Sequence, residues 1–353
     1  MKALRLILTG FLASAAAGAA IAQEPEVKTG GMLYSKEPRR TLSIFYPDNW
    51  DAADKRPALV IFRCNIPEQR EHFRKLGMVV IKPQTAPVNS GNLPKMTLEE
   101  IAAAAKPRDQ VADTKSAIRF IRANAAKLGI DPEKIVATGT SGGGDLALQS
   151  HLNQAFEHEQ DDESVSCSPD ALLLYCPAFD GIDIWFVKSA TLLEQTKTDA
   201  PAFSQHLENF ANTESEYATP LNHRADLIKL AASLGKDEGI DAAEVERFQK
   251  ILELFNNRDW QLLHPVADAM KMSASRILTE EPLPPTLMLF GTRDHLREPQ
   301  EAFVEHARKL GQKFEVKIYE GGGHSFMTQP AFQEPSTRDV QTFLEERGFL
   351  PIN

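Results

Sequence analysis

The chain of 353 residues is long enough for one large domain or two modest ones, and its 42% hydrophobic and 25% charged residues indicate an ordinary globular protein rather than a disordered or fibrous one. Its 39 basic and 49 acidic side chains give a formal charge of −10, and the basic residues form no cluster. That balance argues against nucleic acid or an anionic membrane surface as a partner, because both attract concentrated positive charge.

The N-terminal segment 1–22 has the layout of a secretory signal. Two basic residues precede an apolar run over 6–19, and the small-residue triplet Ala-Ile-Ala comes just before Gln23. We expect cleavage there and export to the periplasm or the medium, with an uncleaved anchor as the alternative. The run is short and rich in alanine for a membrane span, and no other segment approaches the required length.

Past this segment, short apolar runs alternate with helical patterns, which is typical of βαβ units and a mostly parallel sheet. Apolar residues at helical spacing predict a helix from about Asp109 to Gly129, followed by a turn at Asp131-Pro132. Strands are predicted at 41–46, 58–62, 78–81, 135–137, 171–175, 286–290 and 314–319. Two later helices are predicted, at 300–310 and from about Ser336 to Asp339 onward.

Between about Asp180 and Leu283 the alternation stops and amphipathic helical patterns replace it. An insertion of this length is enough for a small lid or subdomain. We therefore predict an α/β core in two parts, residues 23–180 and 284–353, with a helical cap at 181–283 between them.

The three cysteines are Cys64, Cys167 and Cys176, so at least one stays unpaired within a monomer. A disulfide between Cys167 and Cys176 is compatible with an oxidising compartment. Free thiols are favoured, because Cys176 closes an apolar run that is typical of a buried strand. No cysteine spacing resembles a zinc site.

A turn of small residues at 139–143, Gly-Thr-Ser-Gly-Gly, lies directly between a predicted strand and a predicted helix. A serine lifted above a sheet edge needs a sharp turn, and glycines on both sides let the strand and helix backbones approach. Ser141 is therefore the candidate nucleophile. The Gly142 amide, at the positive end of the helix, is the candidate donor to a negative oxygen. A structural or phosphate-binding turn is the alternative interpretation.

A serine hydroxyl needs a base, and His324 is the candidate because it follows three glycines directly after a predicted strand. Asp294 follows the preceding strand within a glycine-led turn and is the candidate acid that orients the imidazole, with Asp180 as its rival. Both acids are expected at the carboxyl edge of the sheet, where open α/β folds bind ligands. A surface histidine and a solvated carboxylate are the alternatives.

The sequence resembles the α/β-hydrolase superfamily and, within it, the secreted esterase and lipase-like branch. The resemblance runs from about Thr41 to the end apart from the cap, and it depends most on residues 113–121, 129–135, 139–143, 291–294 and 321–326. It implies a doubly wound, mostly parallel α/β sheet with an antiparallel strand near its start and a cap after the sixth strand. It also implies hydrolysis through an acyl-serine, with no metal or organic cofactor.

One segment departs from that pattern. Esterases of this branch often carry His-Gly-Gly-Gly after the third strand as a source of amide donors to the oxyanion, whereas Arg63-Cys64-Asn65 stands here. We expect the second donor to be the Cys64 amide, with the Arg63 amide as the alternative. The Arg63 side chain is interpreted as a surface arginine, with a substrate carboxylate as its alternative partner.

An acidic run at 158–163 is interpreted as a solvated loop rather than a calcium site, because it lacks spaced ligands and a turn glycine.

Together with the resemblance, these patterns predict an exported serine hydrolase that cleaves carboxylic esters with Ser141, Asp294 and His324. The expectation that the esters are small or medium and neutral rests on the resemblance alone. A serine peptidase of the same fold is one alternative, and a non-catalytic binding protein on the same scaffold is another. Acyl and alcohol specificity, cap mobility and oligomeric state are not encoded in any pattern that we recognise.

Overall fold

The computed structural model describes residues 32–36, 39–63, 67–86, 107–179 and 271–351. The chain divides into two compact units, of which the larger comprises 28–86, 108–180 and 277–353. The structure describes the smaller unit only at residues 107 and 271–276. The expected signal and residues 181–270 of the expected cap lie outside the described residues, so the domain boundaries stay predictions.

One eight-stranded sheet forms the centre of the larger unit, with strand order β1-β2-β4-β3-β5-β6-β7-β8. Its strands are β1 Met32–Lys36, β2 Arg39–Phe45, β3 Arg56–Phe62, β4 Val79–Pro83, β5 Ile130–Thr140, β6 Ala171–Tyr175, β7 Thr286–Arg293 and β8 Glu315–Gly323. Only β2 runs antiparallel to its neighbours, and every other pair is parallel. The predicted fold class and its antiparallel strand near the start of the chain are confirmed.

The described helices are α1 Pro67–Lys75, α2 Pro107–Ala123, α3 Ala125–Leu128, α4 Gly142–Leu152, α5 Ala274–Ile277, α6 Arg297–Lys309 and α7 Pro330–Glu346. Phe73 of α1 and Phe343 of α7 pack in one buried cluster with alternate strand residues such as Leu173. None of the described helices combines the length and the apolar run that crossing a bilayer requires.

The central strands formed where the sequence predicted them because their apolar runs are buried on both faces, as all five residues of β6 are. The predicted turn at Asp131-Pro132 is wrong, because both residues belong to β5. The last helix starts at Pro330, earlier than predicted, since proline is tolerated in a first helical turn and Pro335 lies inside the helix. Strand β1 was not predicted, because an edge strand with Leu33 exposed has no continuous apolar run.

Helix α2 binds the loop that contains the acidic run. The buried Asp113 carboxylate accepts hydrogen bonds from Arg40 Nε at 2.8 Å, from the Ala86 amide at 2.6 Å and from His158 Nε2 at 2.8 Å. Asp161 of the same loop accepts a hydrogen bond from Ser116. The solvated-loop interpretation is therefore wrong for His158 and Asp161, although the neighbouring residues 159, 160, 162 and 163 are exposed.

The contact between His158 and Asp113 predicts a pH-dependent stability. The hydrogen bond to Asp113 raises the pKa of His158 above its ordinary value of 6.5. The folded state therefore holds this proton more tightly than the unfolded state, and the stabilisation is complete below pH 6.5 and is lost as the pH rises through the folded-state pKa. The difference in the free energy of unfolding between the wild type and His158→Gln should shrink from pH 5.5 to pH 9 in urea titrations.

His151 provides a control of opposite sign, because burial lowers its pKa. The difference between the wild type and His151→Gln should grow over the same pH range. A His158→Gln difference that does not change with pH would show that the hydrogen bond to Asp113 does not depend on the charge of the imidazole.

Candidate active site

Five neighbouring parallel strands end at one edge of the sheet, and the first residue after each carries a polar side chain. In sheet order, β3, β5, β6, β7 and β8 are followed by Arg63, Ser141, Cys176, Asp294 and His324. Parallel pairing of β5 with β6, β6 with β7 and β7 with β8 sets these strand ends side by side. The carboxyl edge of a parallel sheet is the usual ligand site in open α/β folds.

Ser141 occupies a strained turn between β5 and α4. Its φ of 56° and ψ of −126° lie in a region that residues with a side chain rarely adopt. Two backbone hydrogen bonds hold it there: its amide donates to the Tyr175 carbonyl at 3.0 Å, and its carbonyl accepts from the Ala178 amide at 3.1 Å. The side chain stays half-buried, so the hydroxyl is presented at the sheet edge rather than sealed inside.

The glycines on both sides of Ser141 are required by close backbone approach. A Cβ on Gly139 would stand 2.6 Å from the Phe62 carbonyl oxygen, and a Cβ on Gly143 would collide with the same oxygen. The G-x-S-x-G spacing therefore reflects the meeting of β3, β5 and α4 at one point, which matches the interpretation made from the sequence.

Asp294 and His324 form a hydrogen-bonded pair. The imidazole Nδ1 lies 2.9 Å from Asp294 Oδ1. The same oxygen accepts the Leu296 amide at 2.9 Å, and Oδ2 accepts Gln300 Nε2 at 3.1 Å. The predicted acid and base are thus in contact although 30 residues separate them along the chain.

The Asp294 carboxylate stays ionised inside the protein. Burial is the largest influence and acts to raise its pKa, but hydrogen bonds from His324, Leu296 and Gln300, together with the charge of His324, outweigh it, so the pKa is lowered overall. An ionised carboxylate only accepts hydrogen bonds, so Nδ1 of the imidazole must carry the proton in this contact. In the neutral imidazole the other nitrogen, Nε2, then presents its lone pair, as a general base must.

A chain of hydrogen bonds links the serine turn to the acid and base. The Gln300 side chain donates to the Pro177 carbonyl at 3.2 Å as well as to Asp294. The next residue, Ala178, donates to the carbonyl of Ser141. The loop after β6 therefore contacts both sides of the site. It holds the serine turn and the Asp294 carboxylate in place relative to each other.

Two residues near this pair were not identified from the sequence. Cys176 is fully buried, with a φ of 42°, and ligand atoms of Cys176, Asp294 and His324 lie within 4.8 Å of one another. The His295 ring centroid lies 4.5 Å from that of His324, and its Nδ1 lies 3.8 Å from Asp294 Oδ1. The sequence signals that could have pointed to them are the position of Cys176 directly after a strand and that of His295 directly after Asp294.

Burial, followed by the negative charge of Asp294, raises the pKa of the Cys176 thiol well above its ordinary value. The thiol therefore stays protonated and hydrogen-bonds the Asp294 carboxylate. Cys167 and Cys176 are both free. This agrees with the free thiols that the sequence favoured.

The structure describes only some of the other site residues that the sequence predicted. Gly142 follows Ser141 at the first turn of α4, as expected. Cys64 and the rival acid Asp180 lie outside the described residues.

Comparisons with known proteins agree with this geometry. Residues 100–219 match a family described as BD-FAE, and residues 232–328 match one described as alpha/beta hydrolase fold. The propionate-bound structure of esterase 2 from the planctomycete Thermogutta terrifontis is similar at 25% identity and a TM-score of 0.60, over 94% of this chain and all of that one. The same esterase phosphonylated by sarin is similar at the same identity, TM-score and coverage. A comparison with curated proteins finds no match.

The sheet, the two family matches and these neighbours identify the class of protein. The chain has the α/β-hydrolase fold, and the solved structures it is similar to are esterases of that fold.

Burial and the raised pKa predict that Cys176 does not react with thiol reagents in the folded protein. In a Cys64→Ser, Cys167→Ser double variant, the one remaining thiol should stay unlabelled by a chromogenic disulfide reagent under native conditions. It should react fully once guanidinium unfolds the same variant. Rapid labelling of the native variant would contradict the buried position of this side chain.

Proposed function

We propose that this protein hydrolyses carboxylic esters through an acyl-serine intermediate on Ser141. The observation that supports the proposal most directly is the hydrogen bond between Asp294 and His324, at the sheet edge where β5 also presents Ser141 in its strained turn. A nucleophile, a base and an acid that orients the base are the components that acyl transfer by serine requires.

In the proposed reaction, Nε2 of His324 takes the hydroxyl proton while Ser141 Oγ bonds to the ester carbon and the carbonyl electron pair moves onto oxygen. Collapse of this intermediate breaks the bond to the alcohol, which leaves with the proton from His324. Water then attacks the acyl-serine by the same route, releasing the acid and restoring the serine. Asp294 stabilises the imidazolium in both halves, and the Gly142 amide is the expected donor to the oxyanion.

The neighbouring esterase structures support this chemistry and indicate a substrate size. That esterase has been solved with propionate and with butyrate bound, and it is phosphonylated by sarin. We extend to this chain a preference for small or medium acyl groups, in line with the neutral ester expected from the sequence. A peptidase activity or a loss of turnover are the alternatives that the experiment must separate.

Substitution of Ser141, Asp294 or His324 should abolish most of the ester hydrolysis. Ser141→Ala removes the nucleophile, and Asp294→Asn replaces an acceptor that fixes the imidazole tautomer, so kcat/KM on aryl esters should fall by about three orders of magnitude or more in each. The measurement uses aryl esters of increasing acyl length beside an aminoacyl anilide, together with labelling by a fluorophosphonate.

Ser164→Ala, which changes an exposed loop serine, is the matched control and should keep wild-type rates. Labelling that persists in Ser141→Ala would disprove the assigned nucleophile. Labelling of the wild type without ester turnover would favour the binding protein, and cleavage of the anilide in preference to esters would favour the peptidase.

We also propose that the protein is exported, on the basis of the N-terminal segment. Expression of the full chain in a bacterial host should yield a periplasmic or secreted protein whose intact mass lacks residues 1–22. Ala22→Arg should retain the segment, because the cleavage site requires a small residue there. A wild-type protein that keeps all 22 residues would contradict processing at this site.

A further inference from the structure

Arg63 has a cationic side chain that no described carboxylate balances. It is the first residue after β3 and has a φ of 46°, an unusual conformation for a residue with a long side chain. Its guanidinium donates to Gln110 Oε1 at 3.4 Å, and no Asp or Glu of the described residues lies within ion-pair distance of it. Two partly buried arginines of the described residues do have such partners: Arg40 pairs with Asp113 and Arg122 with Asp170.

Gln110 holds this arginine in a fixed orientation. The amide side chain is only 6% exposed and donates its own Nε2 to the Ala86 carbonyl at 2.7 Å. With the amide nitrogen committed, Oε1 is left to accept from Arg63. A neutral acceptor orients the guanidinium without cancelling its charge.

The guanidinium lies beside the turn that carries the nucleophile. A Cβ built on Gly142 would stand 3.3 Å from Arg63 Nη1, and one built on Gly143 would stand 3.1 Å from Arg63 Cβ. Gly142 carries the amide that is expected to face the oxyanion. Because Gly142 has no side chain, the Arg63 guanidinium has room beside the expected position of the substrate oxygen that becomes negative.

Arg63 is an exposed residue, as the sequence interpretation expected, and partial desolvation by the surrounding protein lowers the pKa of its guanidinium. A guanidinium remains protonated at neutral pH even so. A fixed charge that is partly removed from water interacts more strongly with a nearby charge than a solvated one does.

We propose that Arg63 stabilises the oxyanion of the tetrahedral intermediate electrostatically, with Gln110 as the residue that positions it. This role rests on the proposed acyl-serine mechanism and adds to it a specific source of positive charge. A neutral ester gains no such stabilisation in its ground state, so the arginine acts on the transition state.

The test compares Arg63→Met and Arg63→Lys with the wild type on a neutral aryl ester. Arg63→Met should lower kcat by about 10²-fold, the size of effect that one oxyanion donor has, with KM changed by less than about threefold. Arg63→Lys should recover part of the loss because it keeps the charge but not the fork of donors. Gln110→Leu keeps the charge and removes its anchor, so an intermediate loss is expected.

A neutral aryl boronic acid gives an independent readout, because it becomes an anionic tetrahedral adduct on the serine. Its inhibition constant should rise in Arg63→Met by about the factor that kcat loses. Arg338→Met removes an exposed arginine of α7 that pairs with Glu334, and it should leave both values unchanged while altering the net charge equally. Circular dichroism and thermal unfolding verify that each variant is folded.

Two results would overturn the proposal. One is an Arg63→Met variant that keeps more than a third of wild-type kcat on neutral esters. The other is a loss confined to esters that carry a carboxylate, which would make Arg63 a subsite for an anionic substrate group. Failure of the mechanism itself is distinguishable, since in that case the wild type would show neither fluorophosphonate labelling at Ser141 nor ester turnover.

Discussion

Parallel pairing of β3, β5, β6, β7 and β8 is the constraint on which the site depends. Each of these strands points the same way, so the residue that follows each one emerges at the same edge of the sheet. Ser141, Asp294 and His324 are distant along the chain but need no long side-chain reach to share that edge. Register fixes the arrangement further, since Thr140 pairs with Tyr175 and Arg293 pairs with Gly323 immediately before the candidate site residues.

The strained backbone conformation of Ser141 persists because the surrounding backbone blocks a relaxed conformation of the turn. A residue held at a φ of 56° with a side chain costs on the order of 1–3 kcal/mol. The contacts of Gly139 and Gly143 with the end of β3 prevent the turn from relaxing toward that strand. On the β6 side, the Ser141 amide donates to the Tyr175 carbonyl and the Ala178 amide donates to the Ser141 carbonyl. The Gln300 side chain then ties that same β6 loop to Asp294. The loop after β6 therefore stabilises the positions of both Ser141 and Asp294.

The sequence was most informative where one physical signal dominates. Buried apolar runs predicted the central strands, including β5 and β7, whose ends carry Ser141 and Asp294. An alternating pattern followed by three glycines predicted β8 and the position of His324. The edge strand β1 has no such run, and the early start of α7 was hidden by Pro335. Cys176 and His295 became recognisable only in three dimensions, because a buried cysteine or a loop histidine has many structural roles in a sequence. The pairing of His158 and Asp161 with α2 likewise depends on contacts that local charge patterns do not encode.

Charge is distributed along the sheet edge in the order that the proposed acyl transfer requires. In sheet order, cationic Arg63 follows β3, neutral Ser141 follows β5, and anionic Asp294 follows β7 next to His324 at the end of β8. When a serine attacks a neutral ester, negative charge appears on the carbonyl oxygen and positive charge on the imidazole. A fixed cation on one side of the serine and a fixed anion on the other match that separation before the reaction begins. Because both charges are held by hydrogen bonds to buried side chains, Gln110 and Gln300, little reorganisation is needed as the charges develop.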